Sequence, residues 1–114
     1  MRQSIVAVHG LNGDPIKTWT TDKSKKLWLN DPEMLPKQLK NARILTYGYD
    51  ASVTIWLGPT SSDGILQHAH TLIAELVANR QLEGAMERPI IFIAHSLGGI
   101  VVKRVRNLAS FNLP

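Results

Sequence analysis

Three short apolar runs divide the chain, and each is stopped by turn-forming residues. Ser4 to Val8 runs into His9-Gly10-Leu11-Asn12-Gly13-Asp14-Pro15, Arg43 to Tyr47 is closed by Gly48, and Ile90 to Ala94 follows Pro89 and stops at His95-Ser96. Runs of this length predict strands, and the continuous apolar stretch from Ile90 predicts one covered on both faces, as in a parallel sheet. Elsewhere the apolar positions take up helical spacing. Ile65, Ala69, Leu72, Ile73, Leu76 and Val77 form the inner face of a helix capped by Ser62 or Asp63, with His68, Thr71, Glu75 and Asn79 opposite. Leu97, Val101, Val105 and Leu108 mark another. Asn30-Asp31-Pro32 predicts the start of a shorter helix through Leu35 and Leu39, limited or restarted by Pro36 and ended at Asn41-Ala42.

These elements read βαβαβα. Right-handed crossovers then put helices on both faces of a three-stranded parallel sheet, giving an α/β class fold that amounts to half of a doubly wound domain. Three stretches lack a period. Residues 17–26 predict an exposed loop anchored by Trp19, and residues 81–88 a polar connection. Residues 49–64, with Asp50, Trp56, Gly58 and Pro59, leave the carboxyl end of the sheet and should wall any pocket there. For Asp50 a hydrogen bond within its loop is favoured over service at a site; Trp56 reads equally as a substrate contact or as core cover.

The third strand and the helix after it carry the candidate chemistry. Ala94-His95-Ser96-Leu97-Gly98 is a G-x-S-x-G pattern with alanine for the first glycine. In the nucleophile elbow, a serine stands on a sharp strand-to-helix corner, the flanking positions must be small, and the next backbone N–H aims at a reacting carbonyl oxygen. The five residues alone equally fit a plain tight connection. A buried strand before them and an amphipathic helix after them favour the elbow. Gly10, directly after the first strand, lets the backbone approach closely, so Leu11 or its neighbour Asn12 is the candidate second oxyanion donor.

Composition narrows the classes. The chain has 114 residues, 44% hydrophobic and 19% charged, which suits one globular domain. It has no cysteine, which excludes a disulfide framework, a thiol nucleophile or a thiolate metal site. His68 and His70 lie two apart on a helix and do not face one another, so no metal pair is expected. The net charge is +4, but Lys23, Lys25, Lys26, Lys103, Arg104 and Arg106 lack interleaved aromatics and read as solvated faces, with no nucleic-acid partner. The first apolar run is too short for a signal peptide or a membrane span, so no transmembrane segment is expected.

With these residues assembled, a resemblance stands out. Val8-His9-Gly10-Leu11-Asn12-Gly13 with Trp19-Thr20, then Ala42 to Asp50, then Ile93 to Lys103 resemble the α/β-hydrolase superfamily. Within it they are most similar to the lipase-like group of serine-active-site-containing proteins and to related N-terminal modules of fungal proteins carrying ankyrin, tetratricopeptide or nucleotide-binding receptor repeats. The resemblance implies Ser96 as nucleophile, backbone donors at Leu97 and Leu11, and His9, Gly10, Ala94, His95 and Gly98 in support. His95 is implied as a structural partner rather than the base. It further implies a central first strand flanked by the other two, and serine esterase or lipase activity on an acyl ester or lipid-like small molecule with no cofactor. The short first apolar run leads to the expectation of an intracellular, cytoplasmic setting, and the resemblance adds mitochondrial or endoplasmic reticulum association as the alternative.

The family's triad runs Ser, then Asp or Glu, then His, yet Leu97 to Pro114 includes none of these acids and no histidine. Residues 1–114 are therefore expected to be the N-terminal half of a hydrolase domain with its C-terminal half missing, inactive alone, because serine without a base is a poor nucleophile. His9, His68 and His70 are remote substitutes. An unpaired edge of the elbow strand offers a place for a protein partner, and the alternative reading is a non-catalytic interaction or sensing module of a larger signalling protein.

Overall fold

Every residue of strand β1 (Ser4–Val8) is buried because the strand lies between two neighbours. In the computed structural model, which describes residues 3–10, 12–50 and 61–112, β2 (Arg43–Tyr47) and β3 (Ile90–Ala94) pair with β1 in parallel, giving the order β2-β1-β3. The register sets Ser4 against Arg43 and Ile90, and Val8 against Tyr47 and Ala94. All three strands therefore end at one level. The carboxyl end of the sheet carries three adjacent loops, headed by His9, Gly48 and His95.

Alternation along the strands sorts the core into two layers. Val6, Val8 and Tyr47 point to one face, where they meet Ala69, Leu72 and Leu76 of helix α2 (Ser61–Leu82) and Val101 and Val105 of helix α3 (Leu97–Asn112). Ala7 points to the other face and packs with Trp19 and Leu29, flanked by Trp28, Ile44 and Ile93. Both long helices thus share a face. The opposite face is covered by a 3-10 turn (Lys17–Trp19) and the single-turn helix α1 (Leu35–Gln38). This is the arrangement right-handed crossovers demand: β1 to β2 passes on one side, and β2 to β3, which must skip β1, returns on the other. Trp19 is buried and meets the ring of Trp28 edge-on at 5.6 Å, so it packs core as the sequence suggested.

Several expectations are corrected. Strand β3 is not covered on both faces: Ile91 is 46% exposed, because nothing among the described residues packs over the outer part of the face that Ile93 shares. Helix α1 does not start at Pro32. The Asp31 carboxylate accepts the Glu33 N–H in a turn, and helical structure begins at Leu35 with Pro36 in its first turn, where its missing N–H costs nothing. Ser62 and Asp63 lie within helix α2 rather than before it; their side chains lie outside the described residues. Val77 is exposed, whereas His68 and Asn79, placed on the outer face by spacing alone, are half-buried. The helix is turned so that its buried stripe runs through Ala69, Leu72 and Leu76 and reaches Asn79.

Candidate functional site

At the end of β3 the chain reverses from strand to helix within two residues. The His95 N–H still donates to Val8 O at 3.1 Å, as a last rung of the sheet, while Gly98 N–H donates to His95 O and Gly99 N–H to Ser96 O, as the first turn of α3. Between them Ser96 takes φ +56° and is exposed. A serine in the left-handed region is uncommon, and such a conformation persists where surrounding contacts over-determine it. Here those contacts are the sheet rung on one side and the helix on the other. Among the described residues no backbone carbonyl accepts the Leu97 N–H.

The pattern asks for a small residue at 98 because the strand-to-helix corner is sharp. The structure assigns a different cause. A β-carbon there would collide with Val8 O and stand 2.5 Å from His9 O, so what Gly98 admits is the end of β1 against the start of α3. Ala94, at the position two before the serine, is exposed at the top of the edge strand.

The loop after β1 closes over this corner. A β-carbon on Gly10 would lie 2.5 Å from His95 O and 2.7 Å from Ser96 Cβ, which puts the Gly10 backbone in direct contact with the serine. Gly13 N–H donates to Gly10 O at 2.9 Å, closing a tight turn, and Asn12 occupies it with φ +57°, a conformation asparagine tolerates better than most residues. Leu11, the expected backbone donor, lies outside the described residues. Downstream, Asp14 pins the exit of the loop: its Oδ2 accepts the Lys17 N–H at 2.8 Å and the Ile16 N–H at 2.9 Å. These bonds, the one from Lys17 first, hold its carboxyl below the usual carboxylate value of 3.8.

His9 is fully buried and its partners fix its tautomer. Gly10 O can only accept, at 3.0 Å from Nδ1, and the Tyr49 N–H can only donate, at 3.3 Å from Nε2. Nδ1 therefore carries the proton and the Nε2 lone pair is occupied. The Tyr49 hydroxyl also donates to His9 O at 2.7 Å, and the two rings stack at 4.3 Å. Tyr49 is in turn stacked on Tyr47 at 5.6 Å and tilted against His68 at 5.0 Å. Burial, and then Glu75 for Tyr47 and Tyr47 for Tyr49, pushes both phenols up to about 12. Burial likewise lowers His68, against the opposing effect of Asp50.

The structure thus brings Ser96, His95, Gly98, His9 and Gly10 together. It does not bring a second catalytic-type histidine to the serine: His9 is used in holding its own loop, His68 lies against Tyr49, and His70 is exposed. Sequence reasoning missed Tyr49. The one available signal was its place in the aromatic cluster after β2, because a partner forty positions from His9 leaves no local pattern. Grooves flank β2, one lined by Leu45, Thr46, Leu72 and Asn79 and one by Leu27, Leu29, Ile44 and Pro36, and neither is lined by Ser96. Trp56, Gly58 and Pro59, expected in the wall of a pocket, lie outside the described residues. No group of metal-binding side chains occurs among the described residues, and no helix there is long and apolar enough to cross a membrane.

No protein-family model matches the chain. No solved structure matches it. Among curated proteins it is similar to Protein SERAC1 of Danio rerio, 30% identical over 118 residues, and to Protein SERAC1 of Homo sapiens, 27% identical over 120 residues. Each alignment takes in 92% of this chain, which itself spans only 18% of the length of the relative.

Proposed function

We propose that this chain carries the nucleophile-bearing part of a serine hydrolase domain that acts on carboxylic esters of lipid-like acyl groups. The observation that carries the reading is the pairing of an exposed Ser96 at φ +56° on a strand-to-helix corner with a glycine loop lying directly on it. A sharp, strained corner of that kind is what a nucleophile elbow requires. In the proposed reaction Ser96 Oγ attacks the ester carbonyl, its proton passing to a general base, and the carbonyl oxygen becomes an oxyanion taken by the N–H groups of Leu97 and Leu11. The tetrahedral intermediate collapses with loss of the alcohol, and water then releases the acid from the acyl-serine.

The base and its carboxylate partner are proposed to come from outside residues 1–114, since Leu97 to Pro114 offers neither. That fits a chain spanning 18% of its relatives' length. The second reading is a hydrolase-like interaction module without catalysis. Hydrolysis of a short-chain and a long-chain p-nitrophenyl ester by the full-length protein separates the two. The enzyme reading expects Ser96→Ala to lower kcat by at least about a thousandfold, the scale set by losing a triad nucleophile; equal turnover in wild type and Ser96→Ala sinks it.

A further inference from the structure

The geometry points to Tyr49 as a positioning residue that sets the turn of residues 10–13 over Ser96, an assignment that rests on the hydrolase reading above. The turn touches the serine through Gly10, whose α-carbon has no room for a methyl group against His95 O and Ser96 Cβ. A backbone donor in that turn is useful only at hydrogen-bond distance from the developing oxyanion, so something must fix the turn from behind. Within the turn, the Gly13 N–H to Gly10 O hydrogen bond closes the loop on itself.

The fixing runs through His9, the joint between β1 and the turn. Tyr49 grips this residue three ways: its hydroxyl donates to His9 O at 2.7 Å, its backbone N–H donates to His9 Nε2 at 3.3 Å, and its ring stacks on the imidazole at 4.3 Å, 11° from parallel. His9 passes the constraint forward, since its Nδ1 proton goes to Gly10 O, the same oxygen that accepts the Gly13 N–H. His9 O also lies against Gly98 at the start of α3. The Tyr49 hydroxyl therefore holds a carbonyl that borders both the turn and the corner. Tyr49 is itself held by stacking on Tyr47, whose own hydroxyl goes elsewhere, to His68 O at 3.3 Å. A phenylalanine at position 49 would keep both stacks and the backbone bond and lose the hydroxyl's grip on His9 O.

The test uses the full-length protein carrying this chain, as wild type, Tyr49→Phe and, for comparison, Tyr47→Phe. Amide hydrogen exchange is read for residues 10–13 and for β1, and fluorophosphonate labelling of Ser96 is read as maximal rate and half-saturating probe concentration. A displaced oxyanion donor costs less than a deleted one, so Tyr49→Phe is expected to slow maximal labelling about tenfold with half-saturation within about twofold. Exchange at residues 10–13 should speed by about tenfold while β1 and the Tyr47→Phe protein match wild type. Unchanged exchange at residues 10–13 in Tyr49→Phe overturns the assignment. Faster exchange with undiminished labelling overturns it too, because the turn would then move without consequence for the serine. If wild type is not labelled at all, the hydrolase reading fails, and the exchange result alone decides whether Tyr49 holds the turn.

Discussion

The α-carbon of Gly98 lies so close to the carbonyl oxygen of His9 that a methyl group on it would stand 2.5 Å away, with Val8 O closer still. Both obstacles are backbone, the last residue of β1, the most buried strand of the sheet, and the residue that follows it. Neither can yield without parting strand from helix. Gly98→Ala is therefore expected to destabilise the fold by about 2–4 kcal/mol or to prevent folding. The adjacent Gly99 has nothing within 4 Å of an added β-carbon, so Gly99→Ala should stabilise by about 0.5–1 kcal/mol through helix propensity. Opposite signs at neighbouring positions in denaturant unfolding check the docking of α3 on β1.

Gly10 is obstructed by one backbone atom, His95 O, and by two side-chain atoms of the corner, Ser96 Cβ and His95 Nδ1. Gly10→Ala should push the loop off the serine, costing about 1–3 kcal/mol of stability. Labelling of Ser96 by a fluorophosphonate should fall by more than the folded fraction does. A loss of labelling that merely tracks unfolding would show that this contact serves the fold alone.

The three strand boundaries were legible because each strand is a short apolar run between turn formers, and the nearly unbroken run in Ser4–Val8 matches the strand that, among the described residues, has neighbours on both sides. The corner was legible because a serine between small residues at 94 and 98 marks a sharp strand-to-helix connection. What sequence could not show was set by distant packing. Asp31-Pro32 reads as a helix start, yet Leu35 N–H bonds to Trp28 O and the helix waits for Leu35. The rotation of α2 that half-buries His68 depends on Tyr47 and Tyr49, far away in sequence. The cause of the glycine at 98 lies in β1 and not in the motif that contains it.

Asp14 accepts two backbone N–H groups and its carboxyl is held below 3.8. A depressed folded-state value means that its contribution is fully present above the unfolded carboxylate range and is lost as pH falls through the lowered value. Wild type should exceed Asp14→Ala in unfolding free energy by a constant amount above the unfolded carboxylate range, and the gap should narrow as pH falls through the lowered value. A gap that persists into strong acid would contradict the hydrogen-bonded carboxylate.

Tyr47 and Tyr49 are the two tyrosines of the chain, and both phenols are pushed up to about 12 by burial. A raised folded-state value stabilises fully below the unfolded value of 10.0 and loses that contribution as pH rises through 12. Difference absorbance between wild type and each phenylalanine variant should place the phenolate midpoint near 12, or show it appearing together with alkaline unfolding. A midpoint near 10 in the folded protein would contradict the packed His9, Tyr49, Tyr47 stack.

The claim on which the functional account depends is that Ser96 Oγ is the reacting nucleophile. Treating the full-length protein with a fluorophosphonate and mapping the adduct by peptide mass spectrometry tests it at the atom concerned. The account predicts one adduct, on Ser96, absent in Ser96→Ala; an adduct that survives in Ser96→Ala, or a wild-type protein that takes none, would contradict it.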